Sequence, residues 1–390
     1  VDLNRRLATA AAGRVAALVV TVPGWEVTRY AVERLLRERG WRAALSPADA
    51  DVLVVCGPPG RRLSRAVDLV WDQLPGPRAR VTAVVASAAG AALDQAVTEL
   101  LDGDRQRGDA AGRPADPVMG TLPDEDPDAE EPDAEDPHGE DPHGEDPDGS
   151  DTDHGDHGDT DHGDHGDMDH GDMDMESDMA PGGIPLAEGG TGDRDGLDLD
   201  VLHVPLGPVL PCWPAGLLLH CTLSGDVVTD VRPEVLGPAD GAAPGRSASG
   251  TPVDRLDRAA QLLTLAGWAA AATEAARLRD DLLADGAGPD VAARLDRLAR
   301  RVGRSRLLRW SLRGTGAVDA GTCTALGIDP RAVGDVHDRL VGLLAGARDA
   351  TDAPSVPLAA LPSLLRGLEL GALRLTVASL DLDPSPAVVP

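Results

Sequence analysis

The sequence has no phenylalanine and no lysine, and only one tyrosine and four cysteines among its 390 residues. Arginine as the sole long-chain cation, together with the loss of phenylalanine, is what a GC-rich coding sequence produces. A core must then be built from Val, Leu and Ala, which still gains about 25 cal/mol for each Å² of apolar surface buried. The cysteines, Cys56, Cys212, Cys221 and Cys323, are widely scattered and form no CxxC pair. That spacing argues against an iron–sulfur or zinc centre held by this chain alone. No apolar run is long enough to cross a membrane, the stretch Ala10–Val22 is broken by Arg14, and no charged-then-apolar leader is evident. The expectation is a cytoplasmic chain without direct membrane insertion, peripheral to the inner face of the cell membrane only through partners.

Net charge is −30, but it is not evenly spread. Residues 102–200 hold 35 of the 66 acids and 4 of the 36 bases, so the remainder balances at 31 acids against 32 bases. The acidity therefore describes one segment rather than the folded surfaces, and no nucleic-acid partner is expected.

Residues 15–101 alternate strand-like and helix-like patterns. Val15–Val22 and Asp51–Cys56 read as buried strands, and Ala79–Ala86 as a third. Between them, Glu26–Arg39 and Arg61–Leu74 carry apolar residues at helical spacing, with Gly40 as a stop, and Ala91–Leu101 follows as a third helix. Strands without polar alternation, separated by helices, imply a parallel sheet covered on both faces. The expectation for 1–101 is a small doubly wound, flavodoxin-like α/β domain. From Asp102 to Asp200 no apolar periodicity survives, and a disordered acidic His/Asp/Gly-rich linker is expected there. In 201–390, Val201–Val204, Leu217–Leu223 and Val227–Val231 read as short strands. Helices are expected over Val253–Ala284, Pro289–Arg313, Arg331–Ala345 and Leu358–Leu368, and a closing strand over Leu373–Leu380. This makes an α+β domain, a small antiparallel sheet on a helical bundle.

Several features carry possible chemistry. The turn Gly57-Pro58-Pro59-Gly60 follows a strand where an α/β domain can hold a phosphate, but its prolines remove N–H donors and it fits no nucleotide motif. Seven of the ten histidines and all five methionines lie in the linker. Imidazole suits nickel, copper and zinc, so His154, His157, His162, His165 and His170 are the candidate ligands for weak Ni/Cu/Zn binding. The alternative is a solvating tether. Cys212 and Cys221 read as ligands or as packed core residues, and Asp381 and Asp383 as ligands or a polar tail. The repeated Arg-Leu-Asp-Arg at 255–258 and 294–297 reads as solvated helix surface with Leu inward.

Two stretches resemble neighbouring subunits of one enzyme superfamily. Asp49–Val85, DADVLVVCGPPGRRLSRAVDLVWDQLPGPRARVTAVV, resembles the B-type (20 kDa-like) iron–sulfur subunit of respiratory complex I and the small subunit of membrane-bound nickel–iron hydrogenases, above all in DVLVVCGP followed by DQLPGP. His203–Asp230, HVPLGPVLPCWPAGLLLHCTLSGDVVTD, resembles the start of the D-type, hydrogenase-like large subunit. Asp254–Ala320, from DRLDR to LRGTGAVDAG, continues that likeness, and Val377–Asp381 looks like the family's C-terminal strand. Where the family has paired cysteines after the first strand, this chain has Pro23-Gly24-Trp25-Glu26. Where it has one after the third, this chain has Ser87-Ala88-Ala89. The quinone-facing histidine of the family's GPxHP motif falls on Leu210, and the C-terminal nickel-binding pair falls near Asp381–Pro384. The resemblance thus implies a degenerate B–D fusion with no intrinsic cofactor and no catalytic residue of its own. It would be an accessory subunit of a complex I-like, NADH–quinone oxidoreductase-like or hydrogenase-like assembly whose partners are that assembly's membrane subunits. Leu210, Cys212 and Trp213 mark the degenerate quinone-site position. The alternatives are a quinone-binding oxidoreductase subunit, which requires an apolar pocket near Leu210–Trp213, and a nickel- or copper-handling accessory protein acting through the linker.

Overall fold

Val15–Val22 is apolar at every position but Thr21, and in the computed structural model its centre becomes β1, Ala16–Thr21. The structure describes residues 15–113, 201–242, 250–286, 288–351 and 354–383. The chain continues through α1 (Glu26–Arg39), which stops at Gly40 in the left-handed conformation, φ 70°. A glycine adopts this without the Cβ penalty other residues meet. A two-residue strand absent from the sequence reading, β2 (Arg42–Ala43), precedes β3 (Val52–Cys56). Then come α2 (Arg61–Gln73), β4 (Ala79–Ala83) and α3 (Ala89–Leu101). The four strands form one parallel sheet in the order β2-β1-β3-β4, with Ala17 opposite Val52 and Val52 opposite Ala79. Side chains alternate across it. Val52, Val54 and Val81 pack with Val32 and Leu36 of α1 and Leu93 of α3 on one face. Leu18, Val20, Leu53 and Val55 meet Leu63 and Val67 of α2 on the other.

The expected linker starts too early. Residues Gly103–Gly112 form α4, capped by the Asp102 side chain, which accepts from the N–H groups of Asp104 and Arg105. This helix has no buried residue, so apolar periodicity could not reveal it. What docks it is polar. Arg78, 5% exposed, donates to both carboxylate oxygens of Asp109 and to Trp71 O while stacking on the Trp71 ring at 4.1 Å. Residues 114–200, and with them His154, His157, His162, His165 and His170, lie outside the described residues.

The second region opens with the antiparallel sheet β5 (Val201–Leu206), β6 (Leu217–Ser224) and β7 (Val227–Val235). The expected helix over Val253–Ala284 is two helices, α5 (Pro252–Leu265) and α6 (Ala269–Asp285), broken at Gly267 with φ 77°. Pro289–Arg313 likewise divides into α7 (Pro289–Gly303) and α8 (Arg306–Leu312), where the Ser305 hydroxyl caps the second by accepting from Leu308 N. A helix not expected, α9 (Ala320–Leu326), precedes α10 (Val336–Asp349). The short strand β8 (Ser355–Pro357) and α11 (Leu361–Leu365) follow.

Leu373–Leu380 is not the closing strand. All of it but Leu380 lies within α12 (Leu370–Ser379), and the strand comes after it as β9 (Asp381–Asp383), paired in parallel with β8. The sequence LRLTVASL alternates apolar and polar residues, but its fully buried members Leu373, Thr376 and Val377, with Leu380, follow helical spacing. The bundle core forms between α5, α6, α7, α8 and α10, and a second core forms between the antiparallel sheet and α9, α11 and α12.

The two folded regions belong to one compact unit. Leu218 and Leu236 of the second region are buried against the α2 face of the parallel sheet, so its apolar surface is completed from residues more than a hundred positions away. The backbone joins as well, Gly60 N donating to Gly237 O at 3.2 Å and Ala239 N to Pro58 O at 3.0 Å. A Cβ at Gly60 would stand 2.8 Å from Pro238 O, so the glycine is required by this close approach. The turn at 57–60 is thus packed against backbone of the second region.

Candidate functional site at the junction of the two regions

Helix α1 presents Arg29 and Glu33 four residues apart, a spacing that brings both side chains to one face. Helix α5 presents Asp257, and α6 presents Arg279 and Asp280. At the junction these groups interlock. Arg29 grips the Asp257 carboxylate with both terminal nitrogens, at 3.1 and 2.6 Å, and reaches Glu33 Oε1 at 2.7 Å. Arg279 donates to Glu33 Oε2 and to Asp257 Oδ1, each at 2.6 Å, and to Asp280 Oδ1 at 2.9 Å. Arg37 closes on Asp280 from α1, and Gln261 donates to Asp257 Oδ2 at 2.7 Å. Three guanidinium groups thus face three carboxylates. Arg279 is 1% exposed and Asp257 3%. Both guanidinium groups also lie over the ring of Tyr30, 4.7 Å for Arg29 and 4.3 Å for Arg279, where the ring's negative face attracts them. The Tyr30 hydroxyl is buried with no hydrogen-bond partner among the described residues.

Burial alone would raise the Glu33 carboxyl, but Arg29 and Arg279 outweigh it and hold the group at about 2. Burial likewise pulls against the charge on Arg29 and Arg279, and Asp257 and Glu33 more than restore it, so both guanidinium groups are raised. One turn away the balance reverses. Burial pushes Asp254 up to about 6 despite Arg258 at 3.0 Å, with Asp257 and Asp381 adding to the rise. Arg258 is shared, since it also pairs with Asp381 and donates to Leu380 O. Asp381 is therefore an ion-pair partner of α5 rather than part of a polar tail.

These observations correct the reading of the first Arg-Leu-Asp-Arg. Arg255 is 2% exposed and Asp257 3%, so residues 255–258 belong to the interior, not to a solvated face. The second copy, at 294–297, does lie at the surface, with Arg294 half-buried and Arg297 exposed.

Beside the ionic wall lies a cavity of about 570 Å³. Arg29, Glu33, Asp257, Gln261 and Arg279 line one side, and the loop from Pro208 to Trp213 lines another. Leu210, Cys212 and Trp213 are therefore brought together on its wall. The loop is tightly held. The Trp213 indole N–H donates to Leu217 O at 2.7 Å, and Arg374 donates to Pro211 O at 3.0 Å. A Cβ at Gly207 would meet Leu217 O at 2.2 Å, so only glycine fits there. Cys212 adopts φ 56°, a left-handed conformation that non-glycine residues rarely take. Burial, with Glu33 and Asp257 adding to it, pushes its thiol up to about 11, which keeps it neutral at physiological pH. A cavity of about 210 Å³ adjoins, sharing Arg29, Asp257, Gln261 and Trp213 and reaching Asp254.

The other cysteines lie elsewhere. Cys56 is buried in β3, and Cys221 and Cys323 share the core beneath the antiparallel sheet. Burial raises all three thiols. Among the described residues one His/Asp grouping has metal-ligand proximity, Asp335, His337 and Asp338 at the start of α10. Its carboxylates already serve the helix. Asp335 accepts from Asp338 N and Gly314 N, and Asp338 accepts from Asp335 N. A cation there would face the positive end of the helix dipole.

Compared with known proteins, the chain matches no family model, no curated protein and no solved structure. No helix among the described residues is long and apolar enough to cross a membrane.

Proposed function

We propose that the chain is a non-catalytic subunit of a complex I-like or hydrogenase-like membrane assembly, and that its junction cavity receives a lipophilic head group of the quinone class. The observation that supports this reading is the junction itself. The region resembling a B-type subunit, with its flavodoxin-like sheet, and the region resembling a D-type subunit close on each other around about 570 Å³. That volume lies within the few-hundred to thousand Å³ range of small-molecule sites. The apolar loop 208–213 accepts the ring, while Gln261 and the edges of Arg29 and Arg279 offer donors to carbonyl oxygens. Among the described residues Cys212 is the one cysteine that lines it, and binding of the head group is the role assigned. The ionic network keeps the two regions closed and the cavity shaped.

The test is affinity purification of the tagged chain from its native membranes, with co-purifying proteins identified by mass spectrometry. Complex I-like or hydrogenase-like membrane subunits are expected at near-stoichiometric yield. A chain recovered alone refutes the assembly reading and shifts interest to metal handling by the histidines of 154–170.

A further inference from the structure

From Arg297 to Val318 the sequence holds seven arginines and no acid. Arg297 and Arg300 lie on α7 with Arg304 at its C-cap, and Arg306 and Arg309 lie on α8 with Arg313 at its C-cap. Both sets recur at intervals of three and four, which place each on one helix face. That face is the outer one, because Leu295, Leu298 and Val302 of α7 and Leu308 and Leu312 of α8 fill the bundle core. All seven arginines, Arg301 included, are exposed. The acids that flank them are engaged elsewhere, Asp296 with Arg348 at 3.7 Å and Asp319 in accepting from Thr322 N at 2.7 Å. Among the described residues none of the seven has a carboxylate partner. Helix stability accounts for part of this, since Arg300, Arg301 and Arg309 stand in last turns, where the negative end of the helix dipole attracts cations. Arg306 opens α8, where the same dipole repels a cation. Nor does the dipole explain Leu307, 73% exposed, and Trp310, 76% exposed, which stands on the side of α8 opposite Leu308 and Leu312.

We propose that this arginine ridge of α7 and α8 is a docking surface for an anionic lipid bilayer, touched directly rather than through partner subunits. Guanidinium groups pair with lipid phosphates by charge-assisted, often bidentate hydrogen bonds, and each adds to the attraction of an anionic leaflet. An indole such as Trp310 prefers the head-group level of a bilayer, and an arginine stem can lie on apolar surface while its head stays in water. Leu307 supplies apolar area to bury at the acyl boundary. Nucleic acid would also offer phosphates to the guanidinium groups, but no apolar layer to receive Leu307. The chain's excess of acids lies in 102–200, and the remainder balances at 31 acids against 32 bases, so attraction to an anionic surface comes from this ridge and not from net charge. The ridge also reaches the border of the junction cavity. Arg301 lies over the Trp268 ring at 4.9 Å, and the preceding residue, Gly267, lines the cavity. A bilayer held there is a source for a lipophilic ligand, a point that rests on the quinone-class reading above, whereas the docking itself does not.

The experiment sediments the full-length protein with quinone-free vesicles of phosphatidylcholine, pure or with about a third phosphatidylglycerol, at about 0.1 M and about 1 M salt, which shortens the screening length about threefold. Binding to the anionic vesicles alone is expected, weakened at least about tenfold by the higher salt. Arg300→Gln, Arg304→Gln and Arg309→Gln combined should weaken it at least about tenfold at the lower salt and leave the unfolding midpoint in place. Trp310 emission, isolated as the difference between wild type and Trp310→Phe, should be quenched by anionic vesicles carrying brominated acyl chains. Wild type that stays in solution with anionic vesicles at the lower salt overturns the proposal. So does a triple variant that binds as wild type does, because the contact then lies on another face. Arginine-dependent retention by single-stranded DNA but not by vesicles would assign the ridge to nucleic acid, and equally ends the lipid reading. Because the vesicles carry no quinone, failure of the cavity reading leaves each of these outcomes unchanged.

Discussion

Arg-Leu-Asp-Arg occurs twice in the second region, and its two copies meet opposite environments. At 255–258 the sequence turns into the protein, where Asp257 is held by Arg29, Arg279 and Gln261 and Arg258 by Asp254 and Asp381. At 294–297 the same residues sit on α7, and Arg297 begins a ridge of arginines exposed to solvent. Local sequence did not decide the difference. A helix from the other folded region, α1, brings Arg29, Glu33 and Arg37 to the first copy and nothing comparable to the second. An arginine becomes structural here when an element from far along the chain supplies its carboxylates. Where none does, as at Arg297, it stays exposed.

The most severe way to break the junction is to remove its most buried cation. Arg279→Leu leaves Glu33, Asp257 and Asp280 with only Arg29 and Arg37 to neutralise them. Breaking one partner out of a buried ionic set costs roughly 3–5 kcal/mol, and urea unfolding should show a loss of unfolding free energy of that size. A change below about 1 kcal/mol would mean the network contributes little to holding the regions together.

Two carboxylates of the junction should give opposite pH limbs. Glu33 has a folded value of about 2, below its unfolded range, so its contribution is present above about pH 4.5 and fades as pH falls towards 2. Asp254 has a folded value of about 6, above its unfolded value near 4. The unfolded chain releases that proton first, so stability declines as pH rises from about 4 to 6. Asp254→Asn removes this second limb and should raise stability at pH 7 by about 1–3 kcal/mol, read from unfolding curves across pH 3–8. An unchanged slope between pH 4 and 6 would place the titration elsewhere.

A smaller loss is expected at the backbone seam. Gly60→Ala forces a Cβ towards Pro238 O, and separation of the turn from residues 237–239 should lower stability by about 1–2 kcal/mol, with faster amide exchange at Ala239. The ridge supplies the contrast. Arg300→Gln and Arg309→Gln should each leave stability within about 0.5 kcal/mol, because exposed unpaired arginines contribute little to the fold.

Much of the architecture was legible in the residues. The buried runs at 16–21 and 52–56 and the helix ended by Gly40 are strong local signals, and the structure follows them. Where tertiary context decided, reading failed. The alternation in 373–380 pointed to a strand, but packing against the sheet and bundle selected the helical register of Leu373, Thr376 and Val377. The break at Gly267 is a single left-handed residue within an otherwise helical pattern, a feature that periodicity tolerates. Helix α4 is held by Arg78 and Asp109, so it leaves no apolar trace.

For the candidate site, Leu210, Cys212 and Trp213 were singled out by resemblance, and they line the cavity. Its ionic wall was not foreseen. Arg29 and Glu33 at a spacing of four look like any surface pair, and only the approach of α5 and α6 removes them from water.

The cavity's occupancy tests the account most directly. Thr273 lines it from α6 and is only half-buried, so Thr273→Trp can fill part of the space without displacing the ionic wall. Wild-type protein and this variant would be purified from native membranes, extracted with organic solvent and analysed by mass spectrometry. The account predicts about one equivalent of a quinone-class lipid in the wild type and at least a tenfold loss in Thr273→Trp, with both proteins equally folded. Wild-type protein without such a lipid, or a variant that retains it in full, would contradict the assignment of the junction as a ligand site.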